Sequence, residues 1–151
     1  QHLPFLDCRN AVQLGDFAAR VVLSLFWVPD PAQSLIDAEK AKMSFISYSI
    51  HLIATMQLSS SCVLVALFYL RRLHAVRRHA PQSERWLFST ALVVATKYLE
   101  DSPYMCKTWA DVLGLPNYIV TIRELDFLRA LDYSLHINLH SFYGWAWQCQ
   151  E

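Results

Sequence analysis

The stretch from Arg85 to Asp101, RWLFSTALVVATKYLED, constrains the fold more than any other part of the chain. Between Trp86 and Leu99 it is almost wholly apolar or small, with Ser89, Thr90 and Thr96 as mild exceptions. A helix that is hydrophobic all round is normally buried on all sides. About five turns, rising ~1.5 Å per residue, run through the middle of a small domain. Lys97 is the only charge inside this run. Lysine is almost never fully buried unless it is paired, so Lys97 either reaches solvent along its own stem or meets an acidic partner.

The other helices follow from their breaks. Gly occurs only three times, and there is no β-branched alternation, internal repeat or low-complexity tract. The chain therefore reads as helices joined by short turns. Asn10 is placed to cap a first helix running to about Trp27, with Leu14, Phe17, Val21 and Leu25 as its apolar stripe. Asp30, with Pro31 next and Gln33 three on, predicts the start of a second helix. That helix carries Met43, Ile46, Ile50 and Ile53 and ends near Leu58. The serine triplet 59–61 predicts the cap of a third, with Val63, Ala66, Leu67, Leu70 and Leu73 at helical spacing.

After the central helix, Asp101-Ser102-Pro103 closes a turn. Thr108 and Gly114 bracket a short helix holding Trp109, Val112 and Leu113, and Asn117 is placed to cap a helix running to about Tyr133. On that last helix Glu124 stands in line with Val120, Phe127 or Leu128, Leu131 and Leu135. Lys97 and Glu124 are thus the two charges out of place on the two most hydrophobic helices. A pair between them resolves both; two side chains reaching the bundle rim separately would do the same.

Composition narrows the function. A chain of 151 residues is one domain by length, with enough apolar content (54%) to bury a real core. Thirteen basic and thirteen acidic side chains cancel, so no global field draws the protein to nucleic acid or anionic lipid. Cys8, Cys62, Cys106 and Cys149 form no close pair, which suggests free thiols and an intracellular protein, in nucleus or cytoplasm. The N-terminal residues lack the pattern of a signal peptide. Residues 44–70 carry no Asp, Glu, Lys or Arg and are long enough to span a bilayer. His51, Gln57 and the serine triplet near the middle read instead as a helix break and cap, so no membrane span is expected.

Enzyme chemistry finds no purchase. No glycine-rich phosphate loop is present, and neither Cys62 nor Cys106 has an activating His with an orienting acid nearby. His136 and His140 are four apart, but no Cys or carboxylate follows at zinc-ligand spacing. Neither a metal nor a cofactor is expected. A basic cluster, Arg71, Arg72, His74, Arg77, Arg78 and His79, is a candidate docking site for acidic or phosphorylated substrate segments. The plainer reading is an exposed helix end whose cations suit the dipole. The patch is too short for nucleic-acid binding.

Two longer motifs go further. A-L-V-V-A-T-K-Y-L-E-D at 91–101 and R-E-L-D-F-L-R-A-L-D-Y-S-L at 123–135, on the third and fifth of five helices between about residues 40 and 135, resemble the cyclin box. V-A-T-K-Y, then D-S-P-Y, then K-T-W-A-D-V-L-G-L resemble more narrowly the fungal PHO/PCL-type cyclins. The resemblance implies an all-α fold: a single five-helix cyclin box over residues 31–137, an N-terminal flanking helix within 1–30 and a short C-terminal helix within 138–151 containing Trp145 and Trp147. It also implies a non-catalytic subunit that forms a heterodimer with a cyclin-dependent kinase and activates or targets it. In cyclins a Lys on the third box helix and a Glu on the fifth pair at the face that docks on the kinase C-helix; those positions fall on Lys97 and Glu124. The apolar contacts around them fall on Val94, Tyr98, Leu128, Tyr133 and Leu135.

The chain departs from its relatives at Cys106 and Thr121, where Asn is common, and at Arg123, where the residue is usually apolar. The Arg-x-Leu docking motif of cell-cycle cyclins is not reproduced by Met43–Ser47. A cyclin-fold module of the transcription machinery is the alternative, disfavoured by neutral charge and a single box, and a scaffold that binds without activating is another.

Overall fold

The computed structural model describes residues 10–76 and 82–150. Among the described residues there are seven helices and no strand: α1 (Ala11–Phe26), α2 (Leu35–Met56), α3 (Ser60–Val76), α4 (Glu84–Leu99), α5 (Cys106–Leu113), α6 (Asn117–Ala130) and α7 (Leu139–Gln150). The all-α expectation is met.

Several helix ends follow their capping residues. The Asn10 side chain accepts from the Val12 amide at 2.8 Å, and Ser83 accepts from Trp86 at 3.1 Å to start α4. Ser59 does the same for α3, accepting from Cys62. Between α2 and α3 the chain breaks at Gln57, which is left-handed (φ 51°). The long uncharged segment 44–70 is therefore two helices, and none of the described helices is long and apolar enough to cross a membrane.

Other ends differ from expectation. Asp30 caps only a turn, accepting from Ala32 at 2.9 Å; α2 begins at Leu35, with Ser34 accepting from Asp37. The Ser34–Asp37 spacing is the better capping signal, because an acid in the first turn also suits the dipole. Thr108 lies inside α5 rather than at its cap, while Gly114 terminates the helix at φ 69° as its freedom allows. Asn117 is the first residue of α6 rather than its cap. α6 ends at Ala130, short of Tyr133, because Asp132 and Tyr133 are both left-handed.

The core is shared by two helices. Leu87–Thr96 of α4 are buried without interruption, as the composition of that run requires, but so are Cys62–Leu70 of α3. These two pack side by side, with α1 and α2 on one flank and α5 and α6 on the other. α1 meets the bundle through Leu14, Gly15, Ala18, Ala19 and Val22, a face rotated from the expected stripe. Small residues win here because α1 approaches α2 very closely: a Cβ on Gly15 would lie 2.6 Å from the Ile50 Cα. Met43, expected on the inner face of α2, is 54% exposed. α7 closes the far side, where Phe142 and Trp145 set their rings edge-on to Phe68 at 5.8 and 5.7 Å.

Candidate partner-docking face

α4 and α6 cross so that the last turn of one meets the middle of the other. Lys97 Nζ donates to both oxygens of Glu124, at 2.8 and 2.6 Å, and lies 3.3 Å from the Cys106 sulfur. The Cys106 thiol in turn points at Glu124 Oε2, 3.7 Å away. The two misplaced charges therefore satisfy each other across the helix crossing. Their side chains are 35% and 15% exposed, so the pair sits at the surface rather than inside the core. Burial by itself lowers the pKa of the Lys97 ammonium. Hydrogen bonds to Glu124 and Cys106 and the Glu124 charge outweigh that, leaving it raised.

The side chains named alongside this pair do not all stand at the surface. Tyr98 and Tyr133 are 43% and 57% exposed, and Leu128 and Leu135 are half-buried against the core. Val94, by contrast, is 3% exposed and supports the face from beneath. Tyr98 sets its ring edge-on to Tyr69 at 6.1 Å. At the end of α6 the Tyr133 amide folds back to the Leu128 carbonyl at 2.8 Å, which fixes the two left-handed residues.

The loop after α6 is clamped from α3, a feature the sequence did not signal. The Tyr69 hydroxyl donates to the Leu135 carbonyl at 3.0 Å. Arg72 donates to the Ser134 carbonyl and, at 3.1 Å, to the His136 carbonyl, while its guanidinium lies over the Phe68 ring. Arg72 is therefore committed to holding 134–136 in place and is not a free docking cation. Arg71 is exposed, and Arg77 and Arg78 lie outside the described residues. No group of three or more His, Cys, Asp or Glu among the described residues is placed to hold a metal.

The cyclin family profile matches residues 10–135, most of the chain, including every helix that forms the crossing. The chain belongs to the cyclin family. Cyclins are non-catalytic regulators that partner with cyclin-dependent kinases. This cyclin is 25% identical over 143 residues to the G1/S-specific cyclin pas1 of Schizosaccharomyces pombe, covering 91% of this chain and 34% of that protein. It is 27% identical over 112 residues to Cyclin-U4-3 of Arabidopsis thaliana, covering 72% of this chain and 51% of the relative. It is 33% identical over 91 residues to Cyclin-P2-1 of Oryza sativa subsp. japonica, covering 58% and 42%. The cyclin thus spans about a third to a half of the length of these curated relatives.

Proposed function

We propose that this cyclin binds a cyclin-dependent Ser/Thr kinase of the class served by PHO/PCL-type cyclins and activates it by docking on its C-helix. The observation that carries the reading is the Lys97–Glu124 pair, partly exposed at the α4–α6 crossing on the same two helices and following loop that carry Tyr98, Leu128, Tyr133 and Leu135. A polar centre in an apolar, aromatic rim is how specific interfaces are commonly built. The Glu124 carboxylate keeps lone pairs to accept a backbone amide of a partner helix, and Lys97 Nζ can exchange its weaker contact with the Cys106 sulfur for a backbone carbonyl. Two consecutive non-glycine residues in the left-handed region at Asp132 and Tyr133 support the same reading, since such strain is held where a surface has a task. Activation is then a population shift of the kinase toward the state whose C-helix fits this face. Such a partner places the protein inside the cell, in nucleus or cytoplasm.

The test mixes the purified chain with a PHO/PCL-class kinase and follows phosphorylation of a Ser/Thr-Pro peptide. The expected result is a large rise in rate that Lys97→Ala and Glu124→Ala abolish. Each substitution weakens binding by about 2 kcal/mol, roughly thirtyfold in Kd, with circular dichroism unchanged. Tight binding without activation assigns a targeting role instead. Absence of binding rejects the kinase class.

A further inference from the structure

A second crossing point of α4 and α6 carries a charge imbalance that the docking face does not use. Arg123 immediately precedes Glu124 on α6, and one residue turns the helix by about 100°. Glu124 consequently reaches the C-terminal end of α4, while Arg123 reaches its N-terminal end and lies over the Trp86 ring, 5.9 Å from its centroid. Arg85, in the first turn of α4, lies 4.6 Å over the Tyr48 ring and donates to the Ser44 hydroxyl at 2.7 Å. Two guanidiniums from different helices thus converge around Tyr48 and Trp86.

Neither has a carboxylate partner among the described residues, and Arg123 makes no hydrogen bond there. Arg123 is nonetheless half-buried. Burial pulls its pKa down, against a smaller opposing effect of Tyr48. Tyr48 feels both cations: burial raises its pKa, while the Ser89 hydroxyl and the charges of Arg85 and Arg123 pull the other way. A partly desolvated guanidinium with its fork of N–H donors unused is an incomplete interaction. Stacking on an aromatic face occupies the plane of a guanidinium and leaves its N–H edge available to an anion.

We infer that the Arg85–Arg123 pair, with the Ser44 hydroxyl beside it, binds the phosphate monoester of a phosphorylated serine or threonine in a peptide segment. The charge decides against a carboxylate. Two positive charges match the roughly −1.5 to −2 of a phosphomonoester, whereas a single carboxylate leaves one guanidinium uncompensated. Three phosphate oxygens also suit two Arg forks and a hydroxyl, which recognise phosphate by geometry as well as charge. The openness of the site decides for a peptide. Arg85 and Ser44 are exposed, so no enclosing cavity holds a small free anion, and flanking peptide must supply the remaining contact. Two cations on a chain of zero net charge do not make a nucleic-acid surface. The assignment does not depend on the kinase reading, since the chain alone forms the site.

Arginine side-chain NMR on the full 151-residue chain tests it. The probes are acetyl-Gly-Ala-pSer-Pro-Ala-Gly-amide, its unphosphorylated twin and inorganic phosphate. The phosphopeptide is expected to shift the Nε–Hε signals of Arg85 and Arg123 saturably, binding at least about tenfold more tightly than either of the other probes. Arg123→Gln and Arg85→Gln should each weaken that binding about tenfold, while Arg20→Gln, at an exposed arginine of α1 paired with Asp16, leaves it unchanged. Arg85 is exposed, so Arg85→Gln keeps the test valid if Arg123→Gln disturbs the fold. Unmoved arginine signals, equal binding of the twin, binding that survives both substitutions, or inorganic phosphate binding as tightly as the phosphopeptide would each overturn the inference.

Discussion

Lys97 shows how one side chain can matter little to folding and much to binding. Its pair with Glu124 has two good hydrogen bonds but is about a third exposed on the lysine side, where solvent screens the interaction. A double-mutant cycle of Lys97→Met and Glu124→Gln should give a coupling of about 0.2–1 kcal/mol in urea unfolding. The folded pKa of Lys97 is raised above its ordinary 10.5. The contribution of the pair is therefore fully present below pH 10.5 and is lost only as pH rises through the folded value. Unfolding of wild type and Lys97→Met compared between pH 7 and 10 should accordingly show a constant difference. The thiols separate as cleanly. Cys62 is buried and pushed up to about 12, by burial first and then by Glu100, whereas Cys106 is half-exposed. Iodoacetamide should label Cys106 in the native protein and reach Cys62 only on unfolding, as peptide mass spectrometry will show. Lys97 and Glu124 were legible in the sequence because a charge on an apolar stripe violates a period. The Arg85–Tyr48 and Arg123–Trp86 contacts were not, since a cation stacked on a ring of another helix breaks no pattern along its own.

At the scale of helices, the apolar run 86–99 announced the burial of its middle, Leu87–Thr96, though Tyr98 and Leu99 stand exposed, and small residues hid another close contact. Gly15 permits α1 to lie almost backbone-to-backbone against α2 at Ile50. Gly15→Ala places a carbon where backbone already stands, so it should cost about 1–3 kcal/mol. At this chain length the melting temperature should fall by about 2–4 °C for each kcal/mol lost. Large apolar residues are what a hydrophobic stripe is read from, so Leu14, Phe17, Val21 and Leu25 pointed to a face slightly off the one that packs. Helix starts were legible where a hydroxyl or amide faces a free N–H, as at Asn10 and Ser83. They were misplaced where two caps compete within a few residues, as Asp30 and Ser34 do.

Over the whole molecule, α3 is enclosed from Cys62 to Leu70 by α1, α4 and α7. Phe142 and Trp145 cover Phe68, so Trp145→Ala should destabilise by about 3 kcal/mol in urea unfolding. The number and order of helices were readable from breaks and periodicity. The way distant segments meet was not, because the Arg72 clamp on the 134–136 loop joins residues more than sixty positions apart through backbone carbonyls that every sequence shares. The crossing of α4 and α6 has a metric consequence. Arg123 and Glu124 touch Trp86 and Lys97, eleven residues apart on one unbroken helix, or about 16 Å along its axis. α4 is therefore a ruler of fixed length, and an extended ligand that reaches from one end to the other needs roughly five residues between its two contacts.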